Sequence, residues 1–260
     1  MSIHKTAIID KGVELDVNVE VGPYAEIRGD TQIGKNTIIE SKAIVGSRNA
    51  KVVIGQGNFI GHSAVIGGFP QDKKFGGEYS ELFIGDNNQI REFSSVHVGT
   101  SHGGGRTNVG NDNLLMSYSH VAHDVQIGND VILGSVSQCA GHVVLEDKVT
   151  VSGMVGLSQH IRLGKFSYIG GHSAVNKDVL PFTIAEGSWA VMRATNKIGL
   201  QRSGFSAEEI EMINRATRFI TKGGRTLKEA IELIQTECGS SEHIKYILDF
   251  INESERGLAR

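Results

Sequence analysis

Residues able to do chemistry crowd into one part of this chain. Eight of its ten histidines lie between His62 and His172, and the densest stretch is Ser119-His120-Val121-Ala122-His123-Asp124. An imidazole titrates near pH 6.5, so at neutral pH it can take a hydroxyl proton. A carboxylate beside it fixes the ring tautomer and stabilises the imidazolium. His123 and Asp124 therefore read as a general base and its orienting partner. Two other readings compete. Histidines can simply fill solvated faces, and neutral imidazoles are good metal ligands. The metal reading is the weaker one, because His120 and His123 are three apart on a strand-like path and no thiolate joins them. The expectation is a site without metal. The G-x-S-x-G elbow is absent, and neither Cys139 nor Cys238 pairs convincingly with a histidine. Direct transfer, with the acceptor as nucleophile, is favoured over a covalent enzyme intermediate.

The elements that must position these groups show in a period of six. Aliphatic residues recur at Ile3, Ile9, Leu15, Val21, Ile27, Ile33, Ile39 and Val45. The frame slips by three to Ile54, Ile60 and Ile66, resumes at Ile84, Ile90 and Val96, then runs every sixth residue from Val109 to Val175 with Cys139 in one slot. Glycine often follows, as at Gly22, Gly34, Gly61, Gly128 and Gly164. Six fits neither a helix nor simple alternation. It fits a chain that turns a corner after every short strand, each strand pointing one aliphatic side chain inward. The glycines are expected to supply the tight corner geometry. Three faces close a coil of 18 residues, and coils stack as parallel strands roughly 4.8 Å apart. On that ruler His123, Gly141 and Gln159 form one column, Asp124, His142 and His160 the next, and His97 lies one coil below Ala122. Gly141 then offers an unobstructed backbone N–H suited to an oxyanion. Two polar interruptions, 68–79 and 100–107, read as loops extruded from corners, where function often sits.

Formal net charge is -3, which gives no bulk attraction to nucleic acid or anionic lipid. Two cysteines in unrelated contexts favour neither a disulfide framework nor a zinc knuckle, so a reducing cytoplasm is expected. The start, MSIHKTAIIDKG, lacks the pattern of a signal peptide, and no apolar run approaches the roughly 18 residues that span a bilayer. The domains expected are a β-helix over 1–181, a connecting segment without clear period over 182–205, and a helical domain over 206–260. Ser206 to Glu209 and Thr226 to Glu229 read as capping boxes, with Gly223-Gly224 ending the first helix and a third helix over roughly 241–253. The helical domain is also expected to cover the open end of the stack, protecting its strand edges.

The hexad pattern resembles the hexapeptide-repeat acyltransferases, whose fold is a left-handed parallel β-helix. The handedness comes from that resemblance, since parallel crossovers are generally right-handed. The SHVAHD stretch, Ala140-Gly141-His142, Gln71-Asp72-x-Lys74, Ile90-Arg91-Glu92, His97-Val98-Gly99-Thr100, Gly103-Gly104-Gly105, Asp112 to Met116, Gly204-Phe205-Ser206 and Arg256-Gly257-Leu258 sharpen it. Together they resemble the UDP-N-acetylglucosamine O-acyltransferases of lipid A biosynthesis, along essentially the whole chain. The resemblance implies transfer of a 3-hydroxyacyl group from the phosphopantetheinyl arm of acyl carrier protein to the sugar 3-hydroxyl, with no cofactor of the enzyme's own. It implies His123 as base, Asp124 as its partner and Gly141 as oxyanion donor. It further implies Gln71, Asp72 and Lys74 at the sugar, His97, His120 and His142 as pocket histidines, Gln159 near the uracil, and Asn196 and Arg202 at the ribose and phosphates. Gly171 matches a position governing acyl length and points to a longer chain. The family forms homotrimers with sites between subunits, so Asp72 and His123 are expected from different chains. Its carrier partner is acidic, which nominates Arg and Lys of the C-terminal domain for docking.

The chain departs from the family in places. Leu157-Ser158-Gln159-His160 stands where the family usually reads V-H-Q-F, Trp189 where a relative has His, Ile198 where an acidic residue contacts the nucleotide, and Ser203 where a second Arg can follow Arg202. These bear on the acceptor, so an N-acyltransferase acting on a 3-amino analogue or another nucleotide amino sugar is the alternative. A non-catalytic binding scaffold is the third reading.

Overall fold

The computed structural model describes residues 2–222 and 224–260. The chain turns as the period of six predicts. Short strands such as Glu20–Val21, Glu26–Ile27 and Ile132–Leu133 each end on the inward aliphatic residue. They stack in parallel into three sheets of eleven, nine and eight strands among the described residues. The first face begins at Ser2–Ile3, the second at Ile8–Ile9 and the third at Glu14–Leu15. Partners 18 apart pair through the upper coils, Leu114 with Ile132 and Ile132 with Thr150. Lower down, the 68–79 loop makes Phe59 pair with Gln89 instead. The hexad residues from Val21 to Val175 form one continuous buried core. Ile3 is 45 % exposed, because its strand is the edge of the first face and no coil lies beneath it among the described residues.

The corners are built differently from the sequence expectation. Of the glycines that follow the aliphatic residue, Gly46 and Gly67 have positive φ, whereas Gly22, Gly34, Gly61, Gly128 and Gly164 do not. The left-handed residue comes three after the aliphatic. It is Asn18, Asn36, Asp112, Asp124 or Asp130, but also Phe93, Val136 and Met154. The glycines serve close coil-to-coil approach: a Cβ at Gly134 would lie 2.4 Å from the Ser152 carbonyl carbon, and one at Gly164 would lie 2.5 Å from Pro181 N. Such contacts are far inside van der Waals range.

An asparagine ladder ties four successive coils together inside the prism. Asn58 Oδ1 accepts the backbone N–H of Asn88, Asn88 Oδ1 that of Asn113, and Asn113 Oδ1 that of Val131, each at 2.7–3.0 Å. Their Nδ2 groups donate to the carbonyls of Gly85, Gly110 and Gly128. Buried polar groups are thereby satisfied at corners that the regular ladder leaves open.

The connecting segment is ordered, contrary to its lack of period. Thr183–Gly187 adds to the first face and turns back as Ala190–Thr195. Helix α1 (Lys197–Arg202) follows. Helices α2 (Ala207–Thr221), α3 (Leu227–Glu237) and α4 (Glu242–Glu253) carry Ser206, Thr226 and Ser241 as N-caps, the first two as full capping boxes. Gly223 of the expected helix stop lies outside the described residues; Lys222 is the C-cap of α2. The hairpin and the chain end, where Leu258 bridges Asp178, lie over the last coil, so strand pairing as well as helix caps it. Of the loop expected at 100–107, Ser101–Gly103 is a short 3₁₀ turn and Arg106–Val109 is already strand.

Candidate active site

His123 and Asp124 sit at the corner after the second face. Asp124 has φ 61°, a conformation Asp tolerates better than most residues, and this turns its side chain alongside its neighbour's ring. His123 Nδ1 and Asp124 Oδ2 are 2.7 Å apart. With a carboxylate on Nδ1, the proton belongs on that nitrogen and Nε2 is left as the acceptor. Asp124 is itself fixed: Thr100 donates its N–H to Oδ1 at 2.8 Å and its hydroxyl to Oδ2 at 2.6 Å, and Thr107 Oγ1 accepts the Asp124 N–H at 2.8 Å. Gly103 makes room for it, since a Cβ there would lie 2.1 Å from Oδ2. The sequence flagged the three-glycine loop and the motif ending at Thr100, but not that Thr100 and Thr107 bond to Asp124, which carries no spacing signal.

The imidazole lies over Gly141, whose Cβ, if present, would be 2.6 Å from His123 Cε1 and 2.8 Å from Nε2. The Gly141 N–H donates to no acceptor among the described residues. The column His123, Gly141 and Gln159 lines a groove of about 500 Å³ with Gln71, His120, Gln138, Ser158 and Trp189. Cys139 backs this groove, but burial pushes its thiol up to about 12, so it offers no thiolate nucleophile.

Around the same corner lies a polar cluster. Asp72 accepts the Lys74 N–H at 2.9 Å and meets His102 Nε2 at 3.1 Å. The Lys74 amide first, and His102 after it, hold the Asp72 carboxyl below its ordinary range. His102 is 6.5 Å from His142, and His142 stands edge-on to His123 at 5.2 Å. His142 Nε2 lies 3.8 Å from Asp124 Oδ2. Lys74 contributes its amide, with its side chain exposed. Deeper in, His97 packs edge-on to His120 at 4.7 Å, and its Nδ1 has no partner among the described residues. Burial, with repulsion from His120 and His123, pushes His97 down to about 4. Burial and His123 lower His120, whose Nδ1 is 2.8 Å from Ser95 Oγ.

Gln71 lines the same groove as His123, and the Asp72 carboxyl feels the His123 ring only as a coulombic influence, the weakest of those acting on it. Asn196, Arg202 and Gly171 do not join them. Asn196 is the N-cap of α1 beside Phe166, at the corner after the third face, and both its polar atoms are engaged, with the Gly199 N–H and the Phe166 carbonyl. Arg202 is exposed in the last turn of α1. Gly171 packs against Gly153 at the corner after the first face. Of the departures, Ser158 and Trp189 line the groove, while Ile198 and Ser203 are exposed on and beside α1. His123, Asp124 and His142 could also hold a metal, their ligand atoms lying within 4.8 Å of one another.

The three-sided prism of hexad coils, matched over residues 106–136 by the family model of bacterial transferase hexapeptides, is the fold of the left-handed β-helix acyltransferases. A second model, described as UDP-N-acetylglucosamine O-acyltransferase, domain 2, matches residues 178–259. An acyl-[acyl-carrier-protein]–UDP-N-acetylglucosamine O-acyltransferase of Myxococcus xanthus is 42% identical over 258 residues, 99% of each chain. That of Stenotrophomonas maltophilia is 42% identical over 99% of this chain and 97% of its own. The solved UDP-N-acetylglucosamine acyltransferase of Bacteroides fragilis superposes with a TM-score of 0.95 at 40% identity, covering 99% of both chains. That of Moraxella catarrhalis gives 0.94 at 37%, covering both completely. The chain belongs to the acyl-[acyl-carrier-protein]–UDP-N-acetylglucosamine O-acyltransferase family.

Proposed function

We propose that the protein transfers a 3-hydroxyacyl group from acyl carrier protein to the 3-hydroxyl of UDP-N-acetylglucosamine, the first step of lipid A biosynthesis. The observation that carries the mechanism is the imidazole bonded through Nδ1 to a buried carboxylate and seated over a bare glycine amide. His123 Nε2 takes the proton of the sugar hydroxyl as its oxygen attacks the thioester carbonyl. The Gly141 N–H receives the oxyanion, and Asp124 stabilises the imidazolium. Collapse expels the thiolate of the carrier arm, and His123 returns the proton to it. Asp72, held beside His102, orients the sugar. His123→Ala should lower kcat by about 10²–10⁴-fold without loss of the folded state. Near-normal turnover in that variant would end the proposal. Assaying the 3-hydroxy and 3-amino acceptors side by side decides between this reading and the N-acyl alternative, which the altered groove residues Ser158 and Trp189 motivate.

The working unit is a homotrimer in this reading. Two observations support it. Asn196 and Arg202 lie at a different prism edge from His123, so a nucleotide touching all three requires a neighbouring chain. One edge is also apolar over four successive coils, Phe93, Tyr118, Val136 and Met154, all exposed, with Phe93 and Tyr118 stacked at 4.9 Å. The acidic carrier protein docks on the C-terminal domain, where Arg215, Arg218, Lys222 and Arg225 outnumber Glu211 and Glu237 around Phe219 in a hollow of about 440 Å³, Arg215 being paired with Glu237. Arg218, Lys222 and Arg225 have no ion-pair partner among the described residues.

A further inference from the structure

His142 has no hydrogen bond to either ring nitrogen among the described residues, so its orientation is set by the neighbouring rings and by the Asp124 carboxylate 3.8 Å from Nε2. The flattest of its contacts comes from His160, one coil above, whose ring lies parallel at 4.3 Å and 9°. Both residues hold the left-handed corner conformation, φ 62° and 63°, as does Asp124 one coil below at 61°. The corner thus stacks Asp124, His142 and His160 as three rungs 18 residues apart. His160 is distinct from the histidine that the family carries two residues earlier, where this chain has Ser158.

We propose that His160 is a positioning residue for the catalytic pair, acting through His142: it covers the outer face of that ring and keeps it edge-on to His123. The proposal rests on the mechanism assigned to His123. Its logic is competition for one carboxylate. An imidazolium at His142, 3.8 Å from Asp124 Oδ2, would draw that oxygen from His123 Nδ1. The groups facing His142 are Asp124, His160, His123 and His102, with Asp72 behind His102. Burial lowers His142 first; Asp124 opposes this, and the three other imidazoles reinforce it. Losing His160 removes both cover and repulsion, so His142 charges at higher pH.

The test compares His160→Ala and His160→Phe for the pH profile of kcat with an acyl-carrier donor and saturating nucleotide sugar. It also follows the His142 ring by NMR titration, assigned through His142→Gln. In His160→Ala the acid limb of kcat and the His142 titration both move to higher pH, and the plateau rate falls about 2- to 10-fold, the scale of re-ordering one freed side chain. The melting temperature stays put, since His160 is exposed. His160→Phe keeps the flat contact and recovers most of the plateau. An unmoved acid limb and titration in His160→Ala, or a Phe variant as slow as the Ala variant, overturns the proposal. Absence of turnover in the wild-type protein would instead sink the acyltransfer reading, while the titration still tests the stack.

Discussion

Gly141 does two things at once: its amide is free for an oxyanion, and its missing side chain gives His123 somewhere to lie. Gly141→Ala should therefore cost activity through displaced geometry. The added methyl would lie 2.6–2.8 Å from the ring, and a shift near 1 Å costs on the order of 10²-fold. Its φ is not in the left-handed region, so the melting temperature should change little while kcat collapses; the reverse pattern would reject this account. The histidines also set an acid limit on stability. His97 is pushed down to about 4 by burial, with His120 and His142 lowered in the same direction. A folded-state value below the ordinary 6.5 means that the unfolded chain binds more protons between the two. The stability held by the neutral ring is complete above pH 6.5 and is lost as pH falls towards 4, about 3 kcal/mol for His97 alone. Urea midpoints at pH 7 and 4.5 measure it, and equal midpoints would contradict it. The sequence made His123, Asp124 and Gly141 legible because a fixed coil length turns spacing into stacking. It left the bonds of Thr100 and Thr107 to Asp124 invisible, since they arrive through a loop that breaks the count.

Among the elements, the corner decides most. Aliphatic residues set the period, but a corner needs one residue in left-handed conformation and buried polar groups matched across coils. Asn88 accepts from Asn113 and donates to the Gly110 carbonyl while bonding to Asn58. Asn88→Ala strands the Asn113 N–H and the Gly110 carbonyl in the interior. The expected loss is about 2–6 kcal/mol, at one to three for each of the two orphaned groups, read from equilibrium denaturation. A loss under about 0.5 kcal/mol would mean that the ladder is ornamental. Helix starts were read correctly in the sequence because a capping box is local chemistry. The hairpin Thr183–Thr195 was missed because its pairing is nonlocal: Ile184 belongs to the sheet through Tyr168 and Ala194, not through any period of its own.

At the scale of the molecule, the three faces differ in what they show outward. The third carries polar partners such as Asn108 with Gln126 and Arg106 with Glu81, as a solvated wall should. The edge after the first face carries Tyr118 and Met154, 55 % exposed each, which a lone prism has no reason to display. If the proposed homotrimer closes across this edge, Met154→Glu should yield monomers in light scattering, with the far-ultraviolet circular dichroism retained and turnover lost. Trimers that persist with full activity would place the interface elsewhere. On the helical domain, Arg218→Glu with Lys222→Glu should raise KM for the acyl-carrier donor about tenfold or more, with a weakened salt dependence, and leave transfer from a small acyl thioester unchanged. An unaltered KM would move docking off α2.

The sequence alone determined the coil. A six-residue period with one buried aliphatic per face admits a three-sided stack and little else, so it also fixed which residues share a column around His123. What only the tertiary structure decided is which groups meet across breaks in that period: Thr100 and Gly103 on Asp124, Asp72 on His102, and Asn196 away at another edge. The physical reason is that repeat spacing specifies contacts along the stack, whereas loop closures and packing around a corner depend on side-chain volume and hydrogen-bond geometry, which no periodicity encodes.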